Sequence, residues 1–323
     1  MLRQVVRHVL VLLLLLPLSA LAASEDDLWV VLEKAGQAAH KLNYKGIFVY
    51  QSGRNVSSMQ IIHMNYAQGE YARLVSLDGQ PREVFRQGND VVIYNPRNEK
   101  VIIERRRIQN SFPALLPGLP ESLNASYQVR KVGHERVGGR DSIIISLEPR
   151  DPYRYGYKFS VDREFGLLLK SVMLNEHNEM IEQVAFSQLS LMNTQDMDWF
   201  RPEVSPGKTY EMQPEETVTP ALLEGEGWVV AQLPPGFRKV EQVRRKVPGK
   251  SFPVHHLVFS DGLASVSLFI ETLEKNAKPK LGLLAQGGTN VYANALDGYQ
   301  IIVVGEVPEA TVRQIANAVS FKK

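Results

Sequence analysis

The sequence predicts a mainly β protein with a small α content: an antiparallel sheet with a helix at its amino end, followed by a smaller α+β domain. Three observations carry this. From Tyr44 to about residue 190, apolar residues recur with a period of two in short runs split by turn-forming residues. A single stretch ahead of them, residues 24–42, has the period of a helix instead. A polar, proline-bearing segment then breaks all periodicity before strands resume.

The chain begins with Arg3 and Arg7, then the apolar run "VLVLLLLLPL", then "SALA", small residues suited to cleavage near Ala22 or Ala23. This is the three-part form of a secretory signal peptide, residues 1–23. It is too short for a transmembrane helix, which needs about 20 apolar residues, and Pro17 interrupts it. The expectation is a periplasmic protein, soluble after cleavage. With no cysteine in its 323 residues, the chain must draw its stability from burial rather than disulfides, and no amino-terminal cysteine is present for lipidation. Its length exceeds what one core usually serves, so two domains are expected. Lys and Arg total 37 against 35 Asp and Glu, and removal of Arg3 and Arg7 leaves 35 against 35. That balance argues against nucleic acid as a partner, since such binding draws on many phosphate contacts.

In "SEDDLWVVLEKAGQAAHKL", Ser24 suits an N-cap, and Glu25, Asp26 and Asp27 suit the positive end of the helix dipole. Leu28, Leu32, Ala35, Ala39 and Leu42 form one apolar face. Six short β-rich runs follow, from "YKGIFVYQS" to "EKVIIERR", joined by "GRN", "AQG", "DGQP", "GN" and "NPRN". Five such links in succession describe an antiparallel meander, because parallel strands need long crossovers. After "SFPALLPGLPESL" come five more runs, including "YRYGYKFSVD", for about eleven strands in the first domain, residues 24–191. Residues 192–222, with Pro202, Pro206, Pro214 and Pro220, read as a linker across which few contacts are expected. The second domain, 223–323, reads as strands with a loop at "GLLAQGGTN". It ends in a helix at "PEATVRQIANAVSF", with Pro308 in its first turn and Val312, Ile315, Ala316 and Val319 on one face.

Catalytic signatures are missing: no G-x-S-x-G, no phosphate-binding loop, no H-E-x-x-H and no glycine fingerprint. His255 and His256 are adjacent and point to opposite faces of a strand, so they do not chelate, and neither a metal nor a cofactor is expected. His256, Ser260 and Asp261 contain the residue types of a nucleophilic triad, yet "SDG" is also an ordinary hairpin turn. A binding protein rather than an enzyme is expected, with no catalytic residue assigned.

Three features point to binding. Tyr153, Tyr155, Tyr157, Phe159 and Val161 alternate onto one face, either packing under the helix or lining a cavity for an acyl chain, while Arg154, Gly156, Lys158, Ser160 and Asp162 fall on the other. Phe112, Leu115, Leu116 and Leu119 lie in a loop stiffened by Pro113, Pro117 and Pro120, which either covers the core or marks a contact surface. In "VIIERRRIQN", Arg105 and Arg107 share one strand face and Arg106 takes the other, so the three cannot form one patch. The first two are either solvated at a strand end or placed to pair with a lipid phosphate.

The strings "ARLVSLDGQPREVFRQG", "YGYKFSVDREFGLLLKSVML" and "EQVAFSQL", with "WVVAQLPPGFR" and "HLVFSDGLASVSLFIE" further on, resemble the RseB/MucB family of periplasmic regulators of the envelope-stress sigma factor. The resemblance runs over nearly the whole chain after the leader. It implies an unclosed half-barrel sheet around helices, like the LolA/LolB lipoprotein carriers, and a smaller α+β domain. It also implies a partner, the periplasmic domain of a membrane-spanning anti-sigma factor, shielded from the protease that starts its degradation. A lipid or lipopolysaccharide would release the complex, and loss of the brake in relatives can turn on alginate. On this reading the aromatic face, the Phe112–Leu119 loop, Arg105 and Arg107 would meet lipid, and the linker and second domain would meet the anti-sigma factor. The alternative is a periplasmic lipid or lipoprotein carrier, against which the second domain argues. A homo-oligomer is compatible with either.

Overall fold

The computed structural model describes residues 25–67, 69–88, 90–97, 100–107, 112–116, 122–193, 196–201, 207, 209–212, 218–220, 227–245, 252–274 and 277–322; for 96–107, 210–212 and 218–220 it describes the backbone alone. Helix α1 spans Glu25–Lys41. The strands β1 (Tyr44–Ser52), β2 (Asn55–Tyr66), β3 (Gly69–Ser76), β4 (Glu83–Gln87), β5 (Asp90–Arg97) and β6 (Lys100–Arg107) follow it. A short α2 (Ser122–Ser126) leads to β7 (Tyr127–Val137), β8 (Arg140–Pro149), β9 (Gly156–Asp162), β10 (Leu168–Leu174) and β11 (Met180–Leu191).

Each of these strands pairs antiparallel with its chain neighbour within two meanders, β1 to β6 and β7 to β11, and β1 pairs with β11 to join them. The resulting order is β12-β6-β5-β4-β3-β2-β1-β11-β10-β9-β8-β7, an open sheet whose ends do not meet. The added strand β12 (Thr209–Met212) lies parallel to β6, so the sheet is not purely antiparallel. The expected face of α1 holds: Leu28, Leu32, Ala35 and Ala39 are buried and Leu42 packs against the same core. That core includes Phe48, Ile145, Leu147, Phe159, Leu168 and Phe186 from strands across the sheet.

The second sheet has the order β13-β15-β16-β17-β20-β19-β18. Its strands are β13 (Val218–Pro220), β15 (Arg238–Arg245), β16 (Val254–Ser260), β17 (Ser265–Thr272), β18 (Gly282–Gln286), β19 (Thr289–Leu296) and β20 (Tyr299–Gly305). Helix α3 (Glu309–Asn317) packs on it, and β14 (Gly227–Val230) pairs with β21 (Val319–Lys322) beside it. A separate core forms here from Trp228, Leu268, Ile301, Val303, Val312 and Ile315.

Three sequence expectations change. "GLLAQGGTN" is a hairpin, β18 into β19, because its two glycines permit a tight turn between residues of β propensity. Val319 is buried in β21, since the helix stops when the Ala318 N–H meets the carbonyls of Gln314 and Ile315. The stretch read as a linker without sustained period holds two short strands, β12 adding to β6 and β13 to β15. Its Met197–Phe200 3-10 turn packs back on β3, with Phe200 5.8 Å from Tyr71 and the Trp199 carbonyl 3.4 Å from Arg73 Nη1.

The end of α1 is pinned to the first meander by Glu70. Its carboxylate accepts from His40 Nδ1 at 2.9 Å and from His63 Nε2 at 3.2 Å, with Arg86 Nη1 at 3.6 Å. His63 is buried, stacks on Tyr44 at 4.7 Å, and donates from Nδ1 to the Leu42 carbonyl. Burial alone would raise the Glu70 carboxyl, but the His40 and His63 hydrogen bonds and the Arg86 charge hold it well below the usual carboxylate range. A carboxyl depressed on folding adds stability above its unfolded pKa of about 4.3, and that stability is lost as pH falls through the folded value. Glu70→Gln should therefore cost roughly 1–3 kcal/mol in urea melts at pH 7. The difference from the native chain should shrink steadily below about pH 4.

Candidate functional site

The residues singled out for binding fall at the inner face of the first sheet and where the two sheets meet. β9 starts at Gly156, so Tyr153 and Tyr155 precede it and the expected five-residue face is only partly a strand face. Tyr157 and Phe159 stack with ring centroids 5.5 Å apart, and they are 7% and 0% exposed within the first core. Burial pushes the Tyr157 hydroxyl far above the ordinary phenol value, and the nearby Asp261 and Glu306 charges add to the rise. Tyr155 is buried too, and its hydroxyl accepts from Asn290 Nδ2 at 3.0 Å, a residue of β19 in the second sheet. Tyr153 is half-buried, and its carbonyl accepts from Thr311 Oγ1 at 2.7 Å.

The apolar loop covers the helix and the sheet. Phe112 packs against Phe48 at 5.3 Å and Phe186 at 5.0 Å, Leu116 is buried, and Leu115 packs against the same core. A Cβ placed on Gly36 of α1 would overlap the Leu116 carbonyl oxygen, so this glycine lets the loop approach the helix backbone. Leu119 lies outside the described residues. The backbones of Arg105, Arg106 and Arg107 pair with Val92, Val91 and Asp90 of β5, and their side chains lie outside the described residues.

The triad-like residues are not brought together. His256 faces Ser267 Oγ at 3.0 Å and accepts from Arg245 Nε at 2.9 Å. Ser260 donates to the Ala264 carbonyl at 2.8 Å, closing its own turn. Asp261 turns the other way, to Arg154 Nε at 2.7 Å. Among the described residues no group of three or more His, Asp or Glu is placed to hold a metal, and no helix is long and apolar enough to cross a membrane.

What sequence reasoning missed is Arg154, assigned to the outer face of a strand. Its side chain is fully buried between the units, bonded to Asp151, Asp261 and the Pro235 carbonyl. Contacts between the units are therefore numerous where few were expected. The one local signal was the crowding of two acids and two arginines around prolines in "EPRDPYRY".

The profile described as the MucB/RseB N-terminal domain matches residues 27–204, and that of the MucB/RseB C-terminal domain matches residues 223–320. The chain belongs to the MucB/RseB family. Within that family it is 31% identical to the sigma factor AlgU regulatory protein MucB of Pseudomonas aeruginosa, over 94% of this chain and 93% of that one. It is 27% identical to the sigma-E factor regulatory protein RseB of Haemophilus influenzae, over 94% and 95% of the two chains. Among solved structures it matches MucB in complex with MucA(peri) at a TM-score of 0.73 and 27% identity, covering 93% of this chain and 100% of that one. The Pseudomonas aeruginosa MucA/MucB complex gives 0.72 at 28% identity, covering 91% and 98%. A structure of MucB gives 0.63 at 27% identity, covering 92% and 98%.

The Gly36 contact supplies a test by sign. On an exposed helix, glycine to alanine stabilises by about 0.5–1 kcal/mol. Here Gly36→Ala must displace Leu116 and should instead destabilise by about 1–3 kcal/mol, with faster proteolysis of the 112–116 stretch.

Proposed function

We propose that this chain is a periplasmic regulator of an extracytoplasmic stress sigma factor. It binds the periplasmic region of a membrane-spanning anti-sigma factor and shields it from regulated proteolysis. The observation that carries this is the match over both units to MucB solved with MucA(peri), which spans the whole of that MucB chain. The names of the relatives, regulators of sigma-E and of AlgU, support the same reading. Action by binding rather than catalysis is supported by the way His256, Ser260 and Asp261 are each engaged with different partners.

The division into residues 24–191, 192–222 and 223–323 belongs to this reading. It is supported by two separate cores, with the middle stretch stitched to both sheets. Lipid or lipopolysaccharide is proposed as the releasing signal, met by Arg105 and Arg107 at the headgroup and by the Phe112–Leu119 loop and the 153–159 aromatics at the acyl chain. Because Tyr155, Tyr157 and Phe159 are packed, a lipid reaching them has to part existing contacts. That requirement makes its binding antagonistic to the packed arrangement. If lipid and partner favour different arrangements, each weakens the other by the same factor.

A pull-down of residues 24–323 with the periplasmic segment of the anti-sigma factor should retain both proteins and protect that segment from protease; failure of both sinks the reading. Arg105→Ala with Arg107→Ala should blunt release by added lipopolysaccharide at least several-fold while leaving binding and fold intact. Arg106→Ala should leave release unchanged, and equal damage from it would refute the facing argument.

A further inference from the structure

We infer that Arg154 is a latch that docks the two units in one arrangement, and that this docked arrangement is the form that binds the partner; the second half rests on the function proposed above. The segment Asp151–Tyr155, between β8 and β9, is bonded to four separate stretches of the second unit, at Pro235, Asp261, Asn290 and Thr311. Arg154 Nε donates to Asp261 Oδ2 at 2.7 Å, Nη1 meets Asp151, and Nη2 donates to the Pro235 carbonyl. The guanidinium carbon lies 5.1 Å from the centre of the Phe237 ring. On either side, Thr311 holds the Tyr153 carbonyl and Asn290 holds the Tyr155 hydroxyl, and Asn290 spends its other hydrogen on the Val307 carbonyl. Leu263 from the Asp261 turn packs against the first core.

The socket is built for this guanidinium. Asp261 Oδ1 accepts from the N–H groups of Leu263 and Ala264 at 2.9 and 2.8 Å, which fixes its other oxygen toward Arg154. Gly236 has φ +77°, and a Cβ there would stand 2.8 Å from Arg154 Nη2 and 2.9 Å from Ser126 Oγ. Both features serve to place the Pro235 carbonyl against the charge.

A buried ion pair is poor evidence of net stability, but separating its members strands a charge in a dry site at high cost. Partial rotation of one unit on the other is therefore penalised, and the junction has two states, docked or opened to water. The latch segment runs directly into β9, whose Tyr157 and Phe159 lie in the first core. A disturbance of that core reaches the second unit within three residues. At near-equal coverage, the chain superimposes better on MucB of the two MucA complexes, with TM-scores of 0.73 and 0.72, than on the other MucB structure, 0.63.

The absence of cysteine makes the test direct. Val56→Cys and Val240→Cys, both at exposed positions, take a pair of spin labels on the first and second units, and their distance distribution is measured without any partner. The native chain should give one narrow distribution. Arg154→Ala and Asp261→Ala should each raise the opened-to-docked ratio about a hundredfold, and the double variant should go no further than either, since the two act as a pair. If Arg154→Ala fails to fold, Arg154→Lys carries the same expectation, because an ammonium cannot make the three divergent contacts. An unchanged narrow distribution in a folded variant, or additive effects in the double variant, overturns the latch. Binding of the anti-sigma segment is then measured on the same proteins. Opened variants should bind about tenfold or more weakly, since only the docked fraction is competent. Unchanged binding by an opened variant overturns the second half. If the native chain itself does not bind, the proposed function fails while the distances still decide the latch.

Discussion

A guanidinium buried between two sheets sets the terms for the rest of this molecule. Arg154 and Asp261 are 3% and 2% exposed, so neither charge has water to fall back on while the units are docked. Inter-domain contacts within a chain are usually modest and polar, and motion between domains is the ordinary expectation. Here four hydrogen bonds between the units converge on Tyr153, Arg154 and Tyr155, just before β9, and the strand leads from them into the first core. The packing of aromatic rings under α1 and the placement of the second sheet are thus two ends of one short stretch of chain.

The first core is assembled from far-apart pieces with no covalent staple. Helix α1 closes one side, the Phe112–Leu116 stretch closes another, and Gly36 is where they touch backbone to backbone. Glu70 fastens the helix end to β2 and β3 through two histidines on different elements. The aromatic cluster of Phe48, Phe112 and Phe186 joins β1, the loop and β11. These contacts are specific in shape as well as apolar, which keeps an open sheet of twelve strands from sliding on its helix.

Much of the fold was legible because local pattern determines it. Alternation and turn residues marked β1 to β11, and the spacing of Leu28, Leu32, Ala35 and Ala39 marked the buried side of α1. What was not legible is whatever depends on pairing across long separations. Arg154 and Asp261 are 107 positions apart, and each alone looks like something common, an outward strand residue and a turn residue. The same holds for Glu70, unremarkable in "QGEYAR" until His40 and His63 are brought to it. The aromatic run was identified as unusual, but alternation could not tell a wall of a cavity from the floor of a core, nor show that β9 begins only at Gly156. The parallel addition of β12 escaped notice because four residues between prolines carry too little pattern to announce a strand.

The pairing of β1 with β11 has a consequence for how the molecule is made. Tyr44 lies against Leu191 and Ser52 against Glu182, so the first strand of the sheet to be synthesised is completed by nearly the last. Until some 140 further residues have emerged, β1 has hydrogen-bonding groups along one edge with nothing to meet them. Non-local pairings of this kind slow folding and leave strand edges open to aggregation. The sheet therefore has no joined form on the way: its middle seam is the last of its antiparallel pairings that the order of synthesis allows, after both meanders are in place.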